Sequence, residues 1–212
     1  MKFIVLDISS KTGWAYFEST PQGLVLLERG QRPQVEMLKH FSYPLNYLNW
    51  AQNIWDDIYD SVLSRRQFDA IVIEETAKGS KDAHAQKLLE WVHKHAAEFV
   101  VKNDVPAYYL QTGEWRQIAG CQMTKEEKKR NQKVRKGRKA LGRSSLIEID
   151  GKKVGLVGKK HVTIRRVNEL FGLNLRVKEN DVADALALGY AAYIRFFGGT
   201  PNAKIQIKEA NS

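Results

Sequence analysis

Four carboxylates stand where a folded chain could bring them to one point. Asp7 closes the apolar run Phe3-Ile4-Val5-Leu6, and Glu74 follows Ala70-Ile71-Val72-Ile73. Asp181 and Asp184 open an apolar segment that continues as Ala185-Leu186-Ala187-Leu188. In a helix, positions i and i+3 lie about 60° apart, so Asp181 and Asp184 share a face. Crowded carboxylates repel one another unless a cation is present. Mg²⁺ takes a few hard oxygen ligands and keeps the remaining positions for water and phosphate oxygens. Two such ions, about 4 Å apart, can activate a water and stabilise the leaving oxygen of a phosphodiester. These residue types therefore point to metal-assisted phosphodiester hydrolysis. Each acid taken alone has a plainer reading. Asp7 could be a turn residue, Glu74 and Glu75 strand-end surface charges, and Asp181 and Asp184 helix-start acids suited to the macrodipole. Asp184 fits that reading poorly, because its apolar neighbours would bury a structural charge for no gain.

The acids can converge only if the elements carrying them are neighbours. Residues 2–7 read as a buried strand. Trp14–Phe17 and Leu24–Leu27 read as two more, joined by Thr20-Pro21-Gln22-Gly23, which suggests an antiparallel meander. Leu48, Ala51, Trp55, Ile58 and Val62 recur at helical spacing and predict a helix over about 45–65. Residues 70–73 read as a central strand buried on both faces. A second helix is expected over about 82–102, with Ala85, Leu88, Leu89, Val92, Ala96 and Phe99 on one face, and then a strand over 106–110. Strand–helix–strand–helix–strand implies parallel pairing after the meander. Two closing helices are expected: 161–171, ended by Gly172, and 181–197, followed by a Gly/Pro-containing tail. The fold class is α/β, a mixed five-stranded sheet flanked by helices.

The segment 122–158 breaks this rhythm and reads as a basic insertion within one domain spanning 1–212. Its first part, 124–140, is polar all round and could be a helix only with a partner. Its second part reads as a hairpin with Asp150-Gly151 in the turn. The whole chain carries a formal charge of +10, and residues 125–160 hold fourteen Lys/Arg against four acids, so the remainder is neutral. Charge concentrated in this way is the footprint of a polyphosphate partner, with Lys128, Lys129, Arg130, Lys133, Arg135, Lys136, Arg138, Lys139 and Lys159 as phosphate contacts. A solvated arm that only aids solubility would have the same composition.

Other functional classes find little support. No stretch approaches the ~20 apolar residues of a membrane span. The N-terminal apolar run is too short for a signal peptide, and the single Cys121 fits a reducing compartment, so a cytoplasmic protein is expected. No phosphate-binding glycine loop or dinucleotide fingerprint is present, so no nucleotide cofactor is expected. His84, His93 and His95 lack zinc-site spacing. The basic run beside Cys121 could lower its pKa, though no partner suggests a nucleophile. Trp50, Trp55 and Trp91 read as core or subunit contacts, whereas Trp115 is a candidate for DNA contact.

Three segments together resemble RuvC-type Holliday-junction resolvases of the RNase H-like superfamily. They are the strand into Asp7 with Thr12-Gly13 beyond it, Ile73-Glu74 before an amphipathic helix, and Asp181-Val182-Ala183-Asp184-Ala185-Leu186. Their order and spacing match over roughly residues 1–120 and 159–196. The resemblance implies an RNase H-like fold and a homodimer that nicks four-way DNA junctions with Mg²⁺ or Mn²⁺. It assigns metal ligation to Asp7, Glu74, Asp181 and Asp184. It also places a basic residue near the scissile phosphate, at Lys160 within Lys159-Lys160-His161. Glu74 is favoured over Glu75, since side chains alternate along a strand. The sequence departs from the family at two points: no aromatic follows Glu74 in the stretch 75–80, and the basic insertion is extra. Divergent resolvases of this kind occur in phages and other viruses and some cut several branched structures, which opens the substrate range to other branched DNA; if the protein is phage-encoded, its expected place is the cytoplasm of the host cell.

Two other functions remain open on the sequence: a ribonuclease acting on RNA–DNA hybrids, which Asp-x-x-Asp on the closing helix disfavours, and a non-catalytic nucleic-acid-binding protein. Two symmetric nicks would need two sites, hence a dimer. The stripe Leu88, Val92, Ala96 and Phe99 is its candidate interface, with packing on the sheet as the alternative.

Overall fold

The computed structural model describes residues 1–37, 40–75, 83–141, 147–149, 152–201 and 203–208. Three antiparallel strands, β1 (Lys2–Asp7), β2 (Gly13–Thr20) and β3 (Gly23–Gln31), form the meander. Helix α1 (Leu45–Ile58) continues through a π turn, Tyr59–Leu63, into β4 (Ala70–Glu75), which pairs parallel with β1. Helix α2 (Ala83–Asn103) leads to β5 (Ala107–Gln111), parallel to β4. A short helix, α3 (Thr112–Ile118), follows at once. The basic segment holds α4 (Lys125–Leu141) and an antiparallel pair, β6 (Ile147–Ile149) and β7 (Lys152–Val154). Helices α5 (Lys159–Phe171) and α6 (Asn180–Phe196) come next, then β8 (Ile205–Ile207). The main sheet runs β5-β4-β1-β2-β3-β8.

The sheet has six strands rather than the expected five. Residues 205–207 pair parallel with Leu24–Leu26 of β3, so part of the tail is structural. Three residues are too short a run to show as a strand by periodicity alone. The Asp150-Gly151 turn and the stretch 76–82 lie outside the described residues.

Alternation along β1 divides the core. Ile4 and Leu6 face α1 and α2, with Trp55, Ile58, Leu88, Val92 and Ala96. Phe3 and Val5 face the opposite layer, with Leu186, Tyr190 and Phe171 from α6 and α5. The stripe of α2 is thus spent against the sheet and α1, with Leu88 4% exposed and Val92 and Ala96 almost fully buried, and it is not free to join two subunits. Leu48 departs from the expected face of α1: it is 43% exposed, while Ile54 is buried instead. Gly172 ends α5 in the left-handed conformation at φ 63°.

Helix α4 finds its partner in the protein itself. Positions 127, 131 and 134 recur at spacings of four and three and face inward. Val134 is fully buried, and the Asn131 amide exchanges two 2.9 Å hydrogen bonds with the Val157 backbone. Glu127 caps the helix by accepting from the Thr124 N–H, and it pairs with Arg165 of α5 at 2.6 Å. Lys128, Lys129, Arg130, Lys133, Arg135, Lys136 and Lys139 remain exposed.

Candidate active site

The strand register sets the first two acids side by side. Leu6 pairs with Ile73 across β1 and β4, so Asp7 and Glu74 end adjacent parallel strands. Asp7 follows Phe3 and Val5 in alternation, and Glu74 follows Ala70 and Val72, so both point to the α6 layer. Glu75 falls by alternation on the other face.

Helix α6 supplies the other two. Gly13 pairs with Asp7 in the register of β1 and β2. A Cβ at Gly13 would collide with the backbone carbonyl of Asp181, so the missing side chain lets the start of α6 rest on the sheet beside Asp7. Gly189 does the same two turns further on, where a Cβ would meet the Phe17 ring. With α6 seated at both points, Asp181 and Asp184 face the strand ends.

The four acids act on one another through their charges. Burial raises the Asp7 carboxyl well above its ordinary 3.8, and Glu74, through charge and a shared hydrogen bond, then Asp184 and Asp181 raise it further. Burial is also the main cause that lifts Asp184, to about 6, against the pull of Arg116. Such mutual repulsion is what a divalent cation would relieve, and four hard oxygen donors suit Mg²⁺ or Mn²⁺. Among the described residues, however, no three acids, histidines or cysteines stand together as a ready-made metal cage. Protein donors hold the carboxylates instead. Glu74 accepts a short hydrogen bond from the Thr112 hydroxyl and one of 3.2 Å from Trp115 Nε1. Both oxygens of Asp184 lie 3.3 Å from Arg116 Nη2, and Asp181 accepts from the Asn180 amide. Thr163 of α5, fully buried, donates to the Lys159 carbonyl at 3.3 Å and acts to lower the Asp184 pKa.

The expected cations distribute differently. Lys160 is exposed in the first turn of α5, and among the described residues nothing ties it to the four acids. Lys159 and Lys128 line a cavity of about 330 Å³ together with Arg116, Cys121 and Met123. Arg138 is only half-exposed, unlike the other cations assigned to α4. Trp115 is fully buried, which removes it as a DNA contact and makes it a support for Glu74. Burial, which outweighs the nearby arginines, pushes the Cys121 thiol up to about 12, the reverse of an activated cysteine. Sequence reasoning missed Thr112 and Arg116. The available signal was their place directly after β5, the strand next to β4.

The fold is that of RuvC. A structure of Thermus thermophilus RuvC in complex with a Holliday-junction substrate superimposes with a TM-score of 0.57 at 14% identity, over 92% of this chain and 96% of that one. A second structure of T. thermophilus RuvC matches with a TM-score of 0.58 at 16% identity, over 95% and 99% of the two chains. No protein-family model matches the sequence, and no curated protein matches it.

Proposed function

We propose that this protein is a divalent-metal-dependent endonuclease that nicks branched DNA, four-way junctions foremost, as a homodimer. The observation that carries the reading is the convergence of Asp7, Glu74, Asp181 and Asp184 at the ends of β1 and β4 under the start of α6, in a chain with the RuvC fold. These four carboxylates would hold Mg²⁺, with Mn²⁺ able to substitute. Two bound ions would supply an activated water and charge stabilisation at the phosphodiester. The exposed cations of α4, with Lys159 and Lys160 at the start of α5, would grip phosphates without reading sequence. The fold likeness to a protein solved with a Holliday junction favours a junction over an RNA–DNA hybrid.

The test is a cleavage assay on labelled four-way junction, flap, linear duplex and RNA–DNA hybrid, each with Mg²⁺ and with EDTA. Paired nicks in the junction, present with Mg²⁺ and absent with EDTA, are the expected result. Cleavage of the hybrid alone would make the protein a ribonuclease, and junction binding with no cutting of any substrate would make it a binding protein.

A further inference from the structure

Helix α3 touches two of the four acids through three of its first five residues. Thr112 and Trp115 donate to Glu74, and Arg116 reaches Asp184. Arg116 is poorly satisfied where it stands. Its Nε and Nη1 atoms are buried with no hydrogen-bond partner among the described residues, and its one polar contact there is the 3.3 Å approach of Nη2 to Asp184. Its side chain is 14% exposed and that of Asp184 13%. The guanidinium lies over the Trp115 ring, 4.6 Å from its centre. A cation with two idle donors is not kept there by its hydrogen bonds. Its charge, set against a largely buried carboxylate that the charges of three other acids oppose, is what keeps it.

We infer that Arg116 is the built-in counter-ion of the acidic cluster: it neutralises Asp184 in the metal-free protein and competes with a divalent cation for that carboxylate. This rests on the metal-dependent reading above. Arg116 is a positioning residue here, acting through Asp184. Thr112 and Trp115 play the matching part for Glu74, holding it by neutral donors that a cation can displace without leaving a charge unpaired. The arrangement accounts for four acids that crowd one another and yet form no ready-made cage. A carboxylate held by a guanidinium must be surrendered before it can ligate.

The experiment compares the full-length protein with Arg116→Met and Arg116→Lys, using Mn²⁺ alone as the probe, followed by electron paramagnetic resonance or calorimetry. Arg116→Met should bind Mn²⁺ more tightly than the parent, by at least about fivefold, the scale of coupling between two species competing for one group. Arg116→Lys, which keeps the charge, should stay near the parent. A structural defect would weaken Mn²⁺ binding, so the direction separates the two explanations. Urea unfolding in EDTA of Arg116→Met, Asp184→Asn and the double variant supplies a metal-free check. The loss from Arg116→Met should be largely recovered when Asp184 is also neutralised. Additive effects in that cycle, or equal Mn²⁺ dissociation constants for parent and Arg116→Met, would overturn the inference while leaving the nuclease reading intact. If neither protein bound Mn²⁺, the competition and the metal-dependent reading would fall together.

Discussion

Asp184 carries the sharpest consequences at the scale of single residues. Its carboxyl moves from 3.8 to about 6 on folding, chiefly through burial. A folded pKa above the unfolded one means that the native state binds the extra proton. Below about pH 4 both states are protonated, and the stabilisation is complete. It is lost as pH rises through about 6. Asp7, raised for the same reasons, adds to this in the same direction. Urea midpoints in EDTA should therefore fall between pH 4 and 7, and Asp184→Asn should flatten that slope. Replacing Asp184 or Asp7 with Asn should abolish cleavage while leaving junction binding at least as tight, as gel shift and cleavage assays on one preparation would show. A variant cutting at the parent's rate would remove that residue from the metal site. Apolar flanks made Asp184 conspicuous in the sequence, because a charge among alanines and leucines needs a reason. Arg116 gave no such sign, since its role depends on α3 turning back toward α6, which spacing along the chain does not encode.

Between elements, two glycines set the distance between α6 and the sheet. Gly13→Ala would drive a methyl into the Asp181 carbonyl, next to Asp7. Overpacking of this kind costs about 1–3 kcal/mol. Cleavage should fall further than stability does, because the clash moves Asp181 itself; unfolding and cleavage measured on the same variant would show it. Gly189→Ala meets the Phe17 ring and should cost comparable stability with a smaller effect on cleavage. For α4, Asn131→Ala would strip the partners from both the N–H and the C=O of Val157, at about 1–3 kcal/mol. Faster hydrogen exchange confined to 125–141 would report the loosening. The meander, the parallel pair and the closing helices were legible because their apolar periods differ. The docking of α4 was not, because it rests on Val134, Asn131 and the Glu127–Arg165 pair in a run of cations, too little apolar surface to form a stripe. The inward packing of α2 was open for a related reason: an apolar helical face looks the same whether a sheet or a second subunit covers it.

At the scale of the whole molecule, the charge of +10 sits almost entirely in one segment, presented on a helix fixed by its other face. Junction affinity should thus depend steeply on salt. If the α4 lysines grip phosphates as proposed, removing one, for example by Lys129→Ala or Lys133→Ala, should lower the slope of log K against log salt by about 0.9. An unchanged slope would remove that lysine from the DNA interface. The sixth strand has a different consequence. Lys204 and Lys208 flank β8 and share backbone hydrogen bonds of 3.1 and 3.0 Å with Leu24 and Leu26, so residues 204–208 lie along the first part of what would otherwise be an open edge at β3. An open edge is a template for any extended chain that meets it. A protein shortened at Gly199 would keep all four acids and its basic helix, yet it should become sticky, clumping as its concentration rises in light-scattering measurements. Among the described residues, a three-residue strand thus stands at the edge where nine-residue β3 would stand without it, a much shorter template for fibril-like growth.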